Sequence, residues 1–439
     1  MPDTLHDLTL SGFAYGGDAL GRISRTGPHP PAGSERDVDS GKSERVVFVP
    51  FGIPGERVRV RLVEERRGFA RAELLEVLEP SPQRIAPRCR HFGVCGGCHY
   101  QHIPYELQLK AKTDILRDQF RRIGRIDDPP VHEAVPSPNP WNYRNQVQFH
   151  LTAEGRLGYV AASTSPPSRS SSPDLSILPI TECHLPEPAI NRLWPELEFE
   201  PGTDIDRVTL RRGAGDELMV MLESARPDLP ALDVEAGISV VHTFDDHLVV
   251  VAGDDHIMMQ VLGRNFRVSA PSFFQVNTAM AEQMVRHILE NLPARRSPVS
   301  TVLDAYCGAG LFSAFLAPLC DRLIGIESSP AACDDFAFNL DEFDNVELYE
   351  DAAGNVLASL DVQPDVILVD PPRLGLDPPA LDGILRLQPR TVAYVSCDPS
   401  TLARDARRLI DGGYHLRSSI PFDLFPQTYH IESISWFER

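Results

Sequence analysis

Only three lysines occur in the chain, no apolar run approaches the ~20 residues of a membrane helix, and the start, Met1-Pro-Asp-Thr-Leu-His6, has no basic stretch leading into an apolar one. These absences leave no membrane span and no export signal to read, so the expectation is a cytoplasmic protein with no membrane partner. Positive charge is scarce too: the formal net charge is −20 over 439 residues, against the basic footprint expected of a protein that neutralises phosphates. Nearly all cations are therefore arginines, which suit bidentate phosphate contacts. They cluster as Arg57, Arg59, Arg61, Arg66, Arg67 and Arg71 against Glu64 and Glu65, and again as Arg117, Arg121, Arg122 and Arg125. A solvated surface, genome composition or a saline habitat gives the same bias, so a phosphate-binding and a bland reading both stand. Eight cysteines without an export signal argue for thiol chemistry or metal binding over disulfides.

The length suffices for two or three domains, and 42% hydrophobic content fits a globular chain. Residues 1–82 read as a small β-barrel, because short alternating stretches such as Glu56-Arg-Val-Arg-Val-Arg-Leu62 lie between glycine and proline turns. Residues 26–44 and 163–176 are polar and rich in proline and serine, too poor in apolar surface to order themselves, and are expected to be flexible insertions. Residues 83–270 form a central α+β domain in this reading, with helical spacing over 104–124 (Tyr105, Leu109, Ile115, Leu116, Phe120) and a stop at Gly124; that helix is a candidate to pack on the following domain. From 271 to 439 strands and helices alternate, which predicts a doubly wound, mostly parallel sheet. The fold class expected overall is α/β.

Cys89, Cys95 and Cys98 lie among turn residues, and Cys183 follows in Ile180-Thr-Glu-Cys-His184. Spacing alone leaves a four-thiolate zinc site and an iron–sulfur cluster both open. It departs from the C-x3-C-x2-C of radical S-adenosylmethionine enzymes. Further on, Val302-Leu-Asp-Ala-Tyr-Cys-Gly-Ala-Gly310 reads as an apolar strand entering a glycine turn at Gly308 and Gly310, and Leu323-Ile-Gly-Ile-Glu327 as a second strand ending in a carboxylate. This is the layout of a nucleotide-binding βαβ unit, with Glu327 suited to two ribose hydroxyls. A dinucleotide is the competing ligand, but the third fingerprint glycine is Ser313. The strand Val366-Ile-Leu-Val-Asp-Pro-Pro-Arg373 favours S-adenosylmethionine, since methyltransferases acting on nucleobases carry such a D-P-P turn at the open edge of the sheet; Asp370 is its carboxylate.

Cys397 ends the apolar run Thr391-Val-Ala-Tyr-Val-Ser396 and precedes Asp398-Pro399. A cysteine beside a methyl-donor site has a chemical reason to be there. Carbon 5 of uracil is a poor nucleophile, and addition of a thiolate to carbon 6 supplies electron density at carbon 5 as an enolate. After methylation the carbon-5 proton must be removed by a base on the far face of the ring. Glu432, at the mouth of the last strand in Tyr429-His-Ile-Glu-Ser-Ile-Ser-Trp436, is the candidate base.

Together these motifs resemble the RNA 5-methyluridine methyltransferases, in particular those with an N-terminal TRAM domain and a four-iron cluster. The segments Gly12-Phe-Ala-Tyr-Gly-Gly-Asp-Ala-Leu-Gly-Arg22 and Val49-Pro-Phe-Gly-Ile-Pro-Gly-Glu-Arg57 are similar to TRAM, an OB-like RNA-binding barrel. The resemblance implies a Rossmann-like catalytic domain over 271–439 and a [4Fe-4S] cluster on Cys89, Cys95, Cys98 and Cys183, with zinc as the alternative. It implies S-adenosylmethionine contacts at Gln275, Tyr306, Glu327 and Asp370, a nucleophile at Cys397 and a base at Glu432. Asp351 is preferred over Glu350 as the acid after the third strand, and Leu311 stands where close relatives carry a polar residue. The implied substrate is a uridine of 23S ribosomal RNA, flipped out of the folded RNA, with the T-loop uridine of transfer RNA as the alternative. No obligate protein partner is expected. From another class, a non-catalytic RNA-binding module leaves the joint presence of Cys397, Asp370 and Glu432 unexplained.

Overall fold

Alternation along Arg57-Val-Arg-Val-Arg-Leu62 buries Val58 and Val60 and turns the arginines outward, as a strand with one wet face requires. The computed structural model describes residues 5–24, 44–162, 176–215, 217–228, 237–245, 247–292 and 299–439. The two segments expected to be flexible insertions therefore lie outside the described residues, apart from Glu44 and Ser176. The chain forms two compact units. One comprises residues up to Ala111 with Tyr159–Leu178 and Gln427–Tyr429; the other comprises Lys112–Gly158, Pro179–Pro426 and His430–Arg439.

In the first unit, β1 (Leu5–Thr9), β2 (Gly12–Phe13), β3 (Ala19–Ser24), β4 (Glu44–Val49), β5 (Arg57–Glu65) and β6 (Phe69–Glu79) form one sheet in the order β1-β5-β6-β4-β3-β2. The sheet curls on itself. A Cβ at Gly21 would lie 3.1 Å from the Leu8 side chain, so β1 lies over β3. Leu8, Ala19, Val47, Val58, Val60 and Ala70 fill the interior. Buried Glu56 closes one end, accepting from Arg84 Nε at 2.6 Å and from the backbone of Ile53 and Ser81. On the outer face the arginines of β5 meet acids: Arg57 pairs with Glu79, Arg59 with Asp7 and Glu76, and Arg61 with Glu73.

Helix α1 (Tyr105–Arg122) carries the chain into the second unit, where its Leu116 and Phe120 join the core of the C-terminal sheet. Lys112 is buried there, with Nζ 2.5 Å from Asp423 Oδ1 and 3.0 Å from the Phe425 carbonyl. Strand β7 (Gln146–Leu151) pairs with the start of β8 (Leu157–Val160), and β9 (Ile177–Pro179) and α2 (Pro188–Leu193) follow. Next, β10 (Ile205–Arg212), β11 (Leu218–Ser224), β12 (Ile238–Phe244) and β13 (His247–Ala252) extend the sheet from β7. A hairpin of β14 (His256–Val261) and β15 (Arg264–Ser269) leads to α3 (Thr278–Asn291), capped by the side chain of Asn277.

The C-terminal sheet alternates as the sequence predicts: β16 (Val299–Ala305), α4 (Ser313–Leu316), β17 (Cys320–Glu327), α5 (Pro330–Asn339), β18 (Val346–Glu350), α6 (Ala353–Ser359), β19 (Val366–Val369), α7 (Pro378–Leu387), β20 (Thr391–Ser396), α8 (Pro399–Asp411), β21 (His415–Phe422) and β22 (Glu432–Glu438). Its strand order is β18-β17-β16-β19-β20-β22-β21. The first five strands of that order run parallel, and β22 is antiparallel to both β20 and β21. Order reverses around β16, whose neighbours β17 and β19 are reached by crossovers in opposite directions. In such sheets ligands bind at that switch, outside the carboxyl ends of the strands.

Candidate active site

At the end of β16 the chain turns sharply. Tyr306 adopts φ +66°, rare for a residue with a side chain, and Gly308 and Gly310 follow at +53° and +86°. The amides of Tyr306 and Cys307 donate to the Ile326 carbonyl at 2.8 and 3.1 Å, which pins this turn to the end of β17. Gly310 is required for a second reason: a Cβ there would lie 2.4 Å from Leu340. Glu327, the last residue of β17, accepts from the Gly308 amide at 3.0 Å through one oxygen, and from the Ser328 and Ser329 amides at 2.7 and 2.8 Å through the other. The two predicted elements, glycine turn and carboxylate, are thus one hydrogen-bonded unit at the switch point. Asp351 follows β18 and caps the approach to α6, accepting from the Ala352 amide and from Asn355 Nδ2, which hold its carboxyl below the usual range. Gln275 is buried in the loop before α3, and Asn145 fixes that loop by donating to the Gln275 carbonyl at 2.9 Å and to Thr278 Oγ1 at 3.0 Å.

Cys397 and Glu432 meet because of strand direction. Ser396 at the end of β20 is in register with Ser433 near the start of antiparallel β22, so Cys397 and Glu432 are neighbours on the edge where the parallel strands end. Asp370, directly after β19, lies along the same edge. Burial pushes the Cys397 thiol up to about 12, with further upward contributions from Glu432 and Asp370 and a downward one from Arg373. Glu432 is buried and its carboxyl rises well above the usual range, first by desolvation and then through Asp370, against the pull of Arg373. Asp370 is raised to about 7 by burial. The site is therefore a proton-holding cluster of one thiol and two carboxyls, with a single arginine as its counterweight among these groups.

Two members of this neighbourhood escaped the sequence reading. Arg373 stands at the end of the quoted D-P-P-R string, but only the fold brings it to Cys397 and Glu432. Asp304, inside β16, is fully buried; Ser313 Oγ donates to one of its oxygens at 2.6 Å, and the other has no hydrogen-bond partner among the described residues. Its carboxyl is raised to about 7, chiefly by burial. The available signal was an acid inside the apolar run Val302-Leu-Asp-Ala305.

In the first unit the cysteine loop is tightly folded. A Cβ at Gly96 would lie 2.9 Å from the Val160 carbonyl, to which the Gly96 amide donates at 3.0 Å. The amides of His91 and Gly97 point at the sulfurs of Cys89 and Cys95, each at 3.4 Å. Such N–H···S contacts suit thiolates that ligate a metal or cluster. Among the described residues, however, no three His, Cys, Asp or Glu side chains are gathered closely enough to hold a metal ion. Cys183 belongs to the second unit.

The strand order, the glycine turn joined to Glu327 and the D-P-P edge define a Rossmann-like methyltransferase domain. Comparison with known proteins gives the family. Residues 238–439 match the tRNA (Uracil-5-)-methyltransferase family, and residues 7–75 match the TRAM domain. An uncharacterized RNA methyltransferase of Chlorobaculum tepidum is 30% identical over 92% of this chain and 94% of its own length. Another from Halalkalibacterium halodurans is 33% identical over 89% and 92%, and one from Aquifex aeolicus 31% identical over 100% and 99%. A solved tRNA (uracil-54, C5)-methyltransferase of Pyrococcus abyssi, in complex with S-adenosyl-L-homocysteine, has the same fold, with a TM-score of 0.68 at 24% identity, covering 89% of this chain and 94% of that one. The chain belongs to the S-adenosylmethionine-dependent uracil-C5 RNA methyltransferases, of the type that carries a TRAM domain. No helix among the described residues is long and apolar enough to cross a membrane.

Proposed function

We propose that the protein methylates carbon 5 of one or more uridines in 23S ribosomal RNA through a covalent adduct on Cys397. The observation that carries this reading is the adjacency of Cys397 and Glu432 across the β20–β22 pair, at the edge that also carries Asp370. A nucleophile and a base are needed on one ring, and few other chemistries call for both beside a methyl-donor fold. S-adenosylmethionine, when bound, supplies an electrophilic methyl group. Gln275, Tyr306, Gly308, Gly310, Glu327, Asp351 and Asp370 are the residues that would hold it. Three backbone amides fix the Glu327 carboxylate, two on one oxygen and one on the other, and leave one acceptor site on the second oxygen for a ribose hydroxyl.

As the Cys397 sulfur adds to carbon 6, its proton passes to a neighbouring carboxylate, and the ring's C5–C6 electron pair moves onto the carbonyl oxygen at carbon 4. Carbon 5 then takes the methyl group. Glu432, as carboxylate, accepts the carbon-5 proton; the C–H pair re-forms the C5–C6 double bond and the sulfur leaves. Both the thiol and Glu432 must lose protons that burial makes them hold, so activity should rise toward alkaline pH. Cys89, Cys95, Cys98 and Cys183 would ligate a [4Fe-4S] cluster with a structural or RNA-positioning role; zinc is the alternative, and no chemical step passes through either. Residues 1–82, 83–270 and 271–439 would divide RNA gripping, the cluster loop and catalysis among them.

The joint TRAM and four-cysteine pattern supports ribosomal RNA, while the description of the matching family favours the second reading, a transfer RNA T-loop uridine. Incubation of the protein with labelled methyl donor and 5-fluorouridine-substituted ribosomal or transfer RNA tests both. Fluorine at carbon 5 cannot leave as a proton, so a methylated protein–RNA adduct should persist on a denaturing gel and be absent with Cys397→Ala. Adduct on transfer RNA alone would select the second reading; adduct on neither, from folded donor-bound protein, would overturn the chemistry.

A further inference from the structure

Among the large apolar side chains exposed in the described residues, Leu374 stands out at 81% exposure. An exposed leucine alone is ordinary. What distinguishes this one is how its backbone is held. Pro372, Arg373, Leu374 and Gly375 form a turn closed by the Gly375 amide donating to the Pro372 carbonyl at 2.8 Å, with Leu374 at the tip. Helix α8 grips the turn from below. Thr401 Oγ1 donates to the Arg373 carbonyl at 3.1 Å, and Arg404 Nη2 donates to the carbonyls of Leu374 and Leu376 at 2.9 and 3.3 Å. Buried Asp405 accepts from the Leu376 amide at 2.9 Å and from the Tyr394 hydroxyl at 2.9 Å. Gly375 sits at φ +74°, and a Cβ there would lie 2.5 Å from Asp405. Leu376, two residues on, is fully packed. The turn is therefore fixed, and it holds one apolar side chain out in water by construction.

Its location gives the reason. Thr401, which holds the Arg373 carbonyl, lies in the first turn of α8 just after Cys397 and Asp398, and Asp370 of the same edge lies three residues before Arg373, so the turn borders the site where a uridine would be attacked. We propose that Leu374 is an apolar wedge for RNA, entering the base stack at the position the target uridine vacates. This rests on the uridine-methylating reading given above. Flipping a base out exposes the faces of its neighbours, and an apolar side chain that covers them offsets the loss of stacking. A rigid turn serves this better than a mobile loop, since little ordering is left to be done on binding.

The test compares Leu374→Ser and Leu374→Met with the wild type on two RNAs: a folded, unmodified transcript that the wild type methylates, and a short unstructured oligoribonucleotide spanning its modified uridine. Loss of about three buried carbons predicts that Leu374→Ser lowers kcat/KM roughly 10–50-fold on the folded transcript and less than about threefold on the unstructured one, whereas Leu374→Met stays near wild type. A 2-aminopurine placed beside the target uridine in the folded transcript should brighten with the wild type and not with Leu374→Ser. Equal rates on the folded transcript would overturn the wedge, as would an equal loss on both RNAs, which would mean that Leu374 serves the loop and not unstacking. A wild type inert on both ribosomal and transfer RNA would instead overturn the underlying uridine reading.

Discussion

Cys397 directly precedes α8, and a thiol at a helix N-terminus is ordinarily acidic. Here Asp398 caps the helix and takes up the Ser400 and Thr401 amides at 2.8 and 3.0 Å, so those donors are spent before they reach the sulfur. Burial and the carboxyls of Glu432, Asp370 and Asp398 then win, and the thiol rises to about 12. Alkylation of Cys397 by iodoacetamide, followed by peptide mapping, should be slow at neutral pH and still climbing at pH 10. Asp370→Asn removes one of the charges responsible and should speed it roughly threefold to tenfold at pH 9, where Asp370 is ionised. Asp304 makes a stability prediction of definite sign. Its carboxyl moves from 3.8 in the unfolded chain to about 7 in the folded one, so the folded state favours the protonated form. Stability is intact below about pH 4, falls as pH rises to about 7 and is level above that. Asp304→Asn, which keeps the shape and loses the charge, should gain up to about 4 kcal/mol at pH 8 and much less at pH 5, read by urea unfolding at the two pH values.

At the scale of elements, α1 is joined to the C-terminal sheet by one buried ion pair as well as by Leu116 and Phe120. Lys112 and Asp423 are both out of water, and burial pulls the Lys112 ammonium below its usual range even though Asp423 pulls it up. Removing one partner strands the other. Lys112→Met should lose about 3–5 kcal/mol, while Lys112→Met combined with Asp423→Leu should recover most of that loss, as measured by denaturant unfolding. The helix itself was legible from its spacing of Tyr105, Leu109, Ile115, Leu116 and Phe120. The lysine at its centre carried no signal, since only the segment after β21 supplies the acid that makes it a buried residue. The strands of the C-terminal sheet were likewise readable from apolar runs ending in carboxylates or Cys397, because in a parallel sheet both faces are covered and the chain chemistry collects at the carboxyl ends.

For the whole molecule, the net charge of −20 and the arginine clusters now fit together. The arginines of β5 and β6 are engaged by Asp7, Asp18, Glu64, Glu73, Glu76 and Glu79, so that face is a lattice of cross-strand pairs and not an open cationic patch. Within β5 and β6 these arginines are matched by acids on the same face. Arg59→Gln should accordingly change the slope of log affinity for RNA against log salt by less than about one, in binding measured across salt concentrations. The strand and helix alternation, the TRAM-like barrel, the glycine turn with its carboxylate and the unusual placing of Cys397 were legible along the chain. These are local patterns, set by side-chain periodicity and by backbone demands that only certain residues meet. Folding alone brings Glu432 beside Cys397, sets Arg373 against their charge, seals Asp304 in the core and holds Leu374 out in water. Those depend on which strand runs antiparallel and which helix grips which loop, and no spacing along one chain encodes a register between two distant strands.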